Sequence, residues 1–259
     1  MNRTSFVFET GATTHEGKVR EVNEDNYLVR SGIGMWAVAD GMGGHHAGRL
    51  ASTAVINTLA TVAEYESASG FLTECAHALE AANAHLREAA RSMSLDMIGS
   101  TVVLLLVRGS SYACVWSGDS RMYRIRDGVI AQLTRDHSEV EDLITQGVLS
   151  REEARHWPRR NIITRAIGAG EQVELEIVNG EVEAGDVFLL CSDGLTGHLD
   201  DVEIASRMMG DDPQKMADSL VEATLERGAS DNVTVVVVRC APREPTVTDV
   251  AGSPNWTAG

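Results

Sequence analysis

Apolar positions along this chain fall into two kinds of stretch. In residues 47–65, AGRLASTAVINTLATVAEY, and residues 71–93, FLTECAHALEAANAHLREAARSM, they recur every three or four positions, which predicts two amphipathic helices. Elsewhere they come as short, nearly continuous runs. Residues 100–134, STVVLLLVRGSSYACVWSGDSRMYRIRDGVIAQLT, predict four strands with turns at Gly109-Ser110, Gly118-Asp119 and Asp127-Gly128. TSFVFETGAT and NYLVRSGIGMWAVAD predict strands before the helices, and VELEIVNGEVEAGDVFLLCSD and NVTVVVVRC predict strands towards the end. Ser138 with Glu141 and Ser150 with Glu153 fit capping boxes, so residues 138–162 predict a small helical insertion between sheet segments. Asp212 followed by Pro213 predicts an N-cap and first-turn proline for the helix PQKMADSLVEATLERG. Hairpin-connected runs with helices between them indicate an α+β fold of antiparallel sheets covered by helices, not regular βαβ alternation.

Composition narrows the class. The 259 residues are 43% hydrophobic and 23% charged, as in ordinary globular chains. No apolar run approaches the roughly 20 residues of a membrane span, and the start MNRTSFVFETGATTHEGK lacks the apolar stretch of a secretory signal. A cytoplasmic location is therefore expected. Cys75, Cys114, Cys191 and Cys240 are scattered, which reads as packing residues in a reducing compartment and disfavours a zinc site. A net charge of −16 argues against nucleic acid or an anionic membrane as the main partner. Residues 241–259 hold three of the five prolines and no periodic pattern. They are expected to be a disordered tail behind a single domain at 1–240.

Some of the acidic excess lies in apolar contexts. MWAVAD ends in Asp40, ACVWSGD in Asp119 and VFLLCSD in Asp193, and Asp231 precedes NVTVVVV. A single Asp-Gly is most simply a turn. Four such aspartates would repel one another unless protonated, solvated or neutralised by a cation. Oxygen ligands suit Mg²⁺ or Mn²⁺, and two such ions roughly 3.5–4 Å apart would activate a bridging water and clamp a phosphoryl oxygen. The adjoining glycines would let substrate and water approach the backbone. Upstream, GKVREVNEDN adds Arg20, shaped for bidentate phosphate binding, and Glu24 and Asp25, suited to holding metal waters.

VREVNEDN, VADGMGGH, GSTVVLLLV, WSGDSRMYRIRDG, LTRDHS, NIITRAIG, LLCSDGLT and SDNVTVVVV stand in the order seen in bacterial metal-dependent Ser/Thr protein phosphatases. The chain resembles this PPM, or type 2C, family over roughly residues 5–240. The resemblance implies a four-layer α-β-β-α sandwich, two mostly antiparallel sheets flanked by helix pairs, with a flap at 138–162 beside the active site. It implies two Mn²⁺ or Mg²⁺ ions bridged by Asp40, with the Gly41 carbonyl a further ligand of one and Asp193 and Asp231 ligands of the other, and a third, weaker site using Asp119 with Asp193. Arg20 then resembles the phosphate-binding arginine, and Glu24 and Asp25 the water-mediated metal contacts. The implied reaction is hydrolysis of phosphoserine and phosphothreonine by direct attack of a metal-bridging water. The enzyme would act as a monomer on phosphorylated proteins and oppose a bacterial Ser/Thr kinase.

Eukaryotic relatives carry His directly after the Asp-Gly, in the place proposed for a general acid. Met42 stands there in this chain, so the general acid is unassigned, and a metal-bound water is a simpler donor than His45 or His46. Arg155, Arg159 and Arg160 in the flap read equally as partners of local glutamates and as an attractant for a phosphorylated segment. Two alternatives compete with the phosphatase reading: a catalytically silent relative that binds phosphoproteins, and a hydrolase of small phosphorylated metabolites.

Overall fold

The structure, a computed structural model, describes residues 6–43 and 47–242 and leaves the Arg155 side chain undescribed. Among these residues the strands form two antiparallel sheets. One runs in the order β1 (Phe6–His15), β11 (Val233–Pro242), β10 (Val187–Cys191), β7 (Arg121–Arg126), β8 (Val129–Gln132). The other runs β2 (Asp25–Arg30), β3 (Met35–Met42), β5 (Val102–Arg108), β6 (Ser111–Ser117), β9 (Glu176–Glu181), with β4 (Gly99–Ser100) paired to β3.

The continuous apolar runs follow from burial on both faces. In β3, Met35, Ala37 and Ala39 pack towards helices α1 (Ala47–Ala60) and α2 (Ala68–Met93), while Trp36 and Val38 pack against the other sheet. In β11, Val233, Val235 and Val237 pack towards α5 (Asp193–Thr196), α6 (Asp201–Arg207) and α7 (Pro213–Glu226), while Val236, Val238 and Cys240 face the inter-sheet core. A two-residue side-chain period with both faces covered favours apolar residues at successive positions; the exception in β11, Thr234, pairs its hydroxyl with Thr14 at 2.7 Å. The layers are thus α-β-β-α, as the resemblance implies.

Local signals place the helix ends. The Asp212 side chain accepts from the N–H groups of Gln214 and Lys215, with Pro213 opening α7. Ser150 and Glu153 complete a capping box at the start of α4 (Arg151–Arg155). Ser138 supplies only its own half at α3 (Glu139–Thr145), accepting from the Glu141 N–H. The patterning misses α5 and α6, which are too short to show a period, although Asp200 and Glu203 form a second capping box. Strand β11 continues to Pro242, two residues past the boundary expected at 240, because β1 pairs with it along its whole length down to Phe6↔Pro242. His45, His46 and residues 243–259 lie outside the described residues. All four cysteines are free and buried, and burial pushes the Cys75, Cys191 and Cys240 thiols up to about 12. They are packing residues.

Candidate active site

Both sheets deliver aspartates to one end of the sandwich. The β2–β3 register sets Asp25 opposite Asp40. Asp193 opens α5 where β10 ends, Asp231 precedes β11, and Asp119 sits in the turn between β6 and β7. Asp25 is buried; the other four are partly exposed, and Asp119 and Asp193 line a recess.

The electrostatics show that the cluster is short of positive charge. Burial pushes the Asp40 carboxyl well above its ordinary range, and the charges of Asp25, Asp193, Asp119 and Asp231 add to the effect. Burial followed by the charge of Asp193 does the same to Asp119. Asp193 is raised to about 6 by burial and Asp231, and Asp25 to about 7 chiefly by burial. The cations beside them are already engaged. Arg20 donates to Asp231 Oδ2 at 2.8 Å, and Arg121 grips Asp136 bidentately at 2.8 and 2.7 Å. Asp25 Oδ1 and Asp193 Oδ1 are buried with no hydrogen-bond partner. Orphaned carboxylate oxygens in an under-neutralised acidic cluster fit a hard divalent cation. Among the described residues no three His, Cys, Asp or Glu side chains already surround one ion-sized point.

Residues that sequence reasoning passes over hold this arrangement. Asn232 is 6% exposed; its Oδ1 accepts from the Glu24 N–H at 2.8 Å, and its amide donates to the carbonyls of Glu16 and Val22 at 2.9 and 3.0 Å. It thereby fastens the loop bearing Arg20 and Glu24 to Asp231. The Asp40 N–H donates to Thr101 Oγ1 at 3.0 Å, and the Thr101 and Ser120 hydroxyls pair at 2.7 Å, joining the Asp40 and Asp119 segments. Ser192 Oγ donates to Asp25 Oδ2 at 2.7 Å and so bridges the two sheets. Polar residues flanking long apolar runs, as in GST before VVLLLV and SDN before VTVVVV, were the available signal.

The glycines serve a purpose other than the one expected. A Cβ on Gly41 would sit 1.9 Å from the Gly48 carbonyl oxygen, and one on Gly194 would sit 1.9 Å from that of Asn232. The space beside these aspartates is taken by the protein's own backbone, not left for substrate or water.

A cavity of ≈ 1140 Å³ extends from Asp119 and Asp193 between the flap and α6, with Arg160 and His198 on its walls. Arg159 instead pairs with Glu139 at 2.7 Å, and Arg151 with Glu141 at 3.5 Å. Among the described flap arginines, Arg159 and Arg151 pair locally, and Arg151 and Arg160 line the cavity.

The protein phosphatase 2C pattern matches residues 13–232. The chain belongs to the protein phosphatase 2C family. The Ser/Thr protein phosphatase PstP of Mycobacterium tuberculosis is 37% identical over 238 residues, covering 92% of this chain and 46% of PstP. The chain thus spans about half the length of that relative. The structure of PppA, described as a key regulatory component of the type VI secretion system in Pseudomonas aeruginosa, superposes with a TM-score of 0.85 at 41% identity, covering 90% of this chain and 97% of PppA. A PstP catalytic domain in complex with two manganese ions gives a TM-score of 0.83 at 34% identity, covering 91% of this chain and 99% of that one. The α+β sandwich of this type 2C member is the fold of those phosphatases.

Proposed function

We propose that this type 2C chain is a metal-dependent protein phosphatase that hydrolyses phosphoserine and phosphothreonine esters. The observation that carries the reading is the convergence of Asp25, Asp40, Asp119, Asp193 and Asp231 at one sandwich end, with Asp25 Oδ1 and Asp193 Oδ1 left orphaned. Two ions, Mn²⁺ as in the PstP complex or Mg²⁺, would be held by Asp40 and the Gly41 carbonyl and by Asp193 and Asp231, with Asp119 and Asp193 offering a third place. Such ions, when bound, neutralise phosphoryl charge and supply an activated water at neutral pH.

The chain's own groups do the positioning. Arg20, with half its side chain in solvent and its guanidinium tied to Asp231, is placed to hold phosphoryl oxygens at the mouth of the site. Asn232 keeps that loop in register with Asp231. Glu24, whose carboxyl lies against Gly48 in the first turn of α1, and Asp25 orient water at the floor. Arg160 on the cavity wall supplies positive charge along the path of a phosphorylated segment. Met42 cannot donate a proton, so the leaving serine or threonine oxygen takes its proton from water. Catalysis of this kind rests on positioning and charge neutralisation, without a protein nucleophile.

On this reading one catalytic domain over 1–240 carries the activity, with the flap at 138–162. The chain acts as a cytoplasmic monomer on proteins phosphorylated by a Ser/Thr kinase; no helix among the described residues is long and apolar enough to cross a membrane. The test is hydrolysis of a phosphothreonine peptide with Mn²⁺, with chelator, and by Asp193→Asn with Mn²⁺. Turnover is expected only in the first. No turnover by folded, Mn²⁺-loaded wild-type protein would reject the enzyme in favour of a silent binding relative.

A further inference from the structure

His137 takes no part in the chemistry above, yet it is 3% exposed and uses both ring nitrogens. The Gly118 N–H donates to His137 Nδ1 at 3.1 Å, while the His137 N–H donates to the Gly118 carbonyl at 3.0 Å. These two bonds close a ring with the residue directly before Asp119. An accepting Nδ1 puts the proton on Nε2, which faces Glu176 Oε1 at 3.3 Å, with Arg165 Nη1 also 3.3 Å from that nitrogen. Glu176 is itself gripped by Arg165 at 2.9 Å. The imidazole stacks on Trp116 with centroids 5.9 Å apart and planes at 17°.

The same residue is the root of the flap. The Thr164 N–H donates to the His137 carbonyl at 2.8 Å, Ser138 bridges to Ile163, and the Glu139 N–H donates to the Ile162 carbonyl at 2.9 Å. The outgoing and returning ends of the flap are therefore laddered together where His137 grips the Asp119 turn. A buried histidine satisfied only by the core would need neither the reciprocal pair with Gly118 nor the flap ladder.

We infer that His137 is a positioning residue that fastens the turn carrying Asp119 to the stem of the flap, so that the two segments hold or open as one unit. The inference rests on the phosphatase reading for its consequence in turnover, but not for the coupling itself. Loosening the flap stem would displace Asp119 from the shared floor, and a well-placed Asp119 would hold the flap stem closed.

Two conservative variants of the full chain separate this role from packing. In His137→Asn the amide oxygen stands where Nδ1 stands and keeps the Gly118 bond. His137→Gln reaches Glu176 but leaves the Gly118 N–H unpaired. Amide exchange followed by NMR, with and without diamagnetic Mg²⁺, reads the coupling, and phosphothreonine-peptide hydrolysis with Mn²⁺ reads its effect. His137→Gln is expected to exchange about tenfold faster at both Gly118 and Thr164 and to lose about tenfold in kcat/KM, while His137→Asn stays within about threefold of wild type. Equal behaviour of the two variants, or faster exchange at Gly118 without the same change at Thr164, overturns the inference. Should His137→Gln not fold, the wild type decides: Mg²⁺ must slow exchange at Gly118 and Thr164 by the same factor, and unequal slowing overturns the inference. Coupled exchange in a wild type that shows no turnover would support the coupling and reject the phosphatase reading alone.

Discussion

The floor of the site and the flap above it are held by different physics. Floor aspartates sit at strand ends whose backbones are fixed by sheet register and by buried side-chain bonds, such as Thr101 to Asp40 and Asn232 to Glu24. Flap helices α3 and α4 are short and rely on serine caps and on ion pairs whose arginines are 62% and 78% exposed at Arg159 and Arg151. Exposed pairs of this kind contribute about 0–1 kcal/mol and are screened by salt, whereas a buried donor left unpaired costs about 1–3 kcal/mol. The proposed function calls for a floor that does not yield and a cover that adapts to varied substrate segments. The fold divides its interactions accordingly.

The strongest way to break the comparison is to attack the floor. Asp40→Asn should lower turnover of a phosphothreonine peptide by at least about 10²-fold, because a floor carboxylate for a charge-neutralising ion is lost. The same variant should leave metal-free thermal stability unchanged or raised, since it removes a charge from a crowded, buried acidic cluster. A large fall in metal-free Tm would show that the carboxylate supports the fold. Asn232→Ala comes next: three hydrogen bonds of a buried side chain to the backbone are lost at once, and unfolding stability should fall by about 2–3 kcal/mol, with kcat/KM falling alongside. Activity lost without stability would show that Asn232 acts at the site and not as a clamp.

Acidity sharpens the comparison more gently. Asp25 and Asp193 titrate near 7 and 6 when folded, against about 3.9 in an unfolded chain. The native state therefore binds the extra protons, and the stability they confer is full below about pH 4 and is lost as pH rises through these folded values. Ionised carboxylates also bind cations better, so the rise in Tm on adding Mn²⁺ should be larger at pH 7.5 than at pH 5.5. Thermal denaturation at the two pH values checks this, and an equal shift would place the Mn²⁺ away from the cluster. The smallest effects belong to the flap. Arg159→Ala should change stability by less than about 1 kcal/mol and leave hydrolysis of a small aryl phosphate untouched. Arg160→Ala should raise KM for a phosphopeptide while sparing the aryl phosphate; a parallel change in both substrates would remove Arg160 from substrate recruitment.

The features legible in the sequence alone were local ones, though not all of them, since α5 and α6 escaped it. Side-chain period distinguished helices α1, α2 and α7 from the strands, Asp212-Pro213 marked a helix start, and Asp40, Asp119, Asp193 and Asp231 were visible as charges beside apolar runs. Eight ordered motifs were enough for the family. These features depend on residues near one another in the chain. The tertiary structure decided which distant groups meet. Gly118 and His137 are 19 residues apart, Asp40 and Thr101 are 61 apart, and Glu24 and Asn232 are 208 apart. Such pairs depend on strand order and register, and those are set by how both sheets bury both faces at once. For the same reason the tight glycines could be seen in the sequence but not explained. Only the packed chain shows that Gly41 and Gly194 admit the carbonyls of Gly48 and Asn232 beside the aspartates.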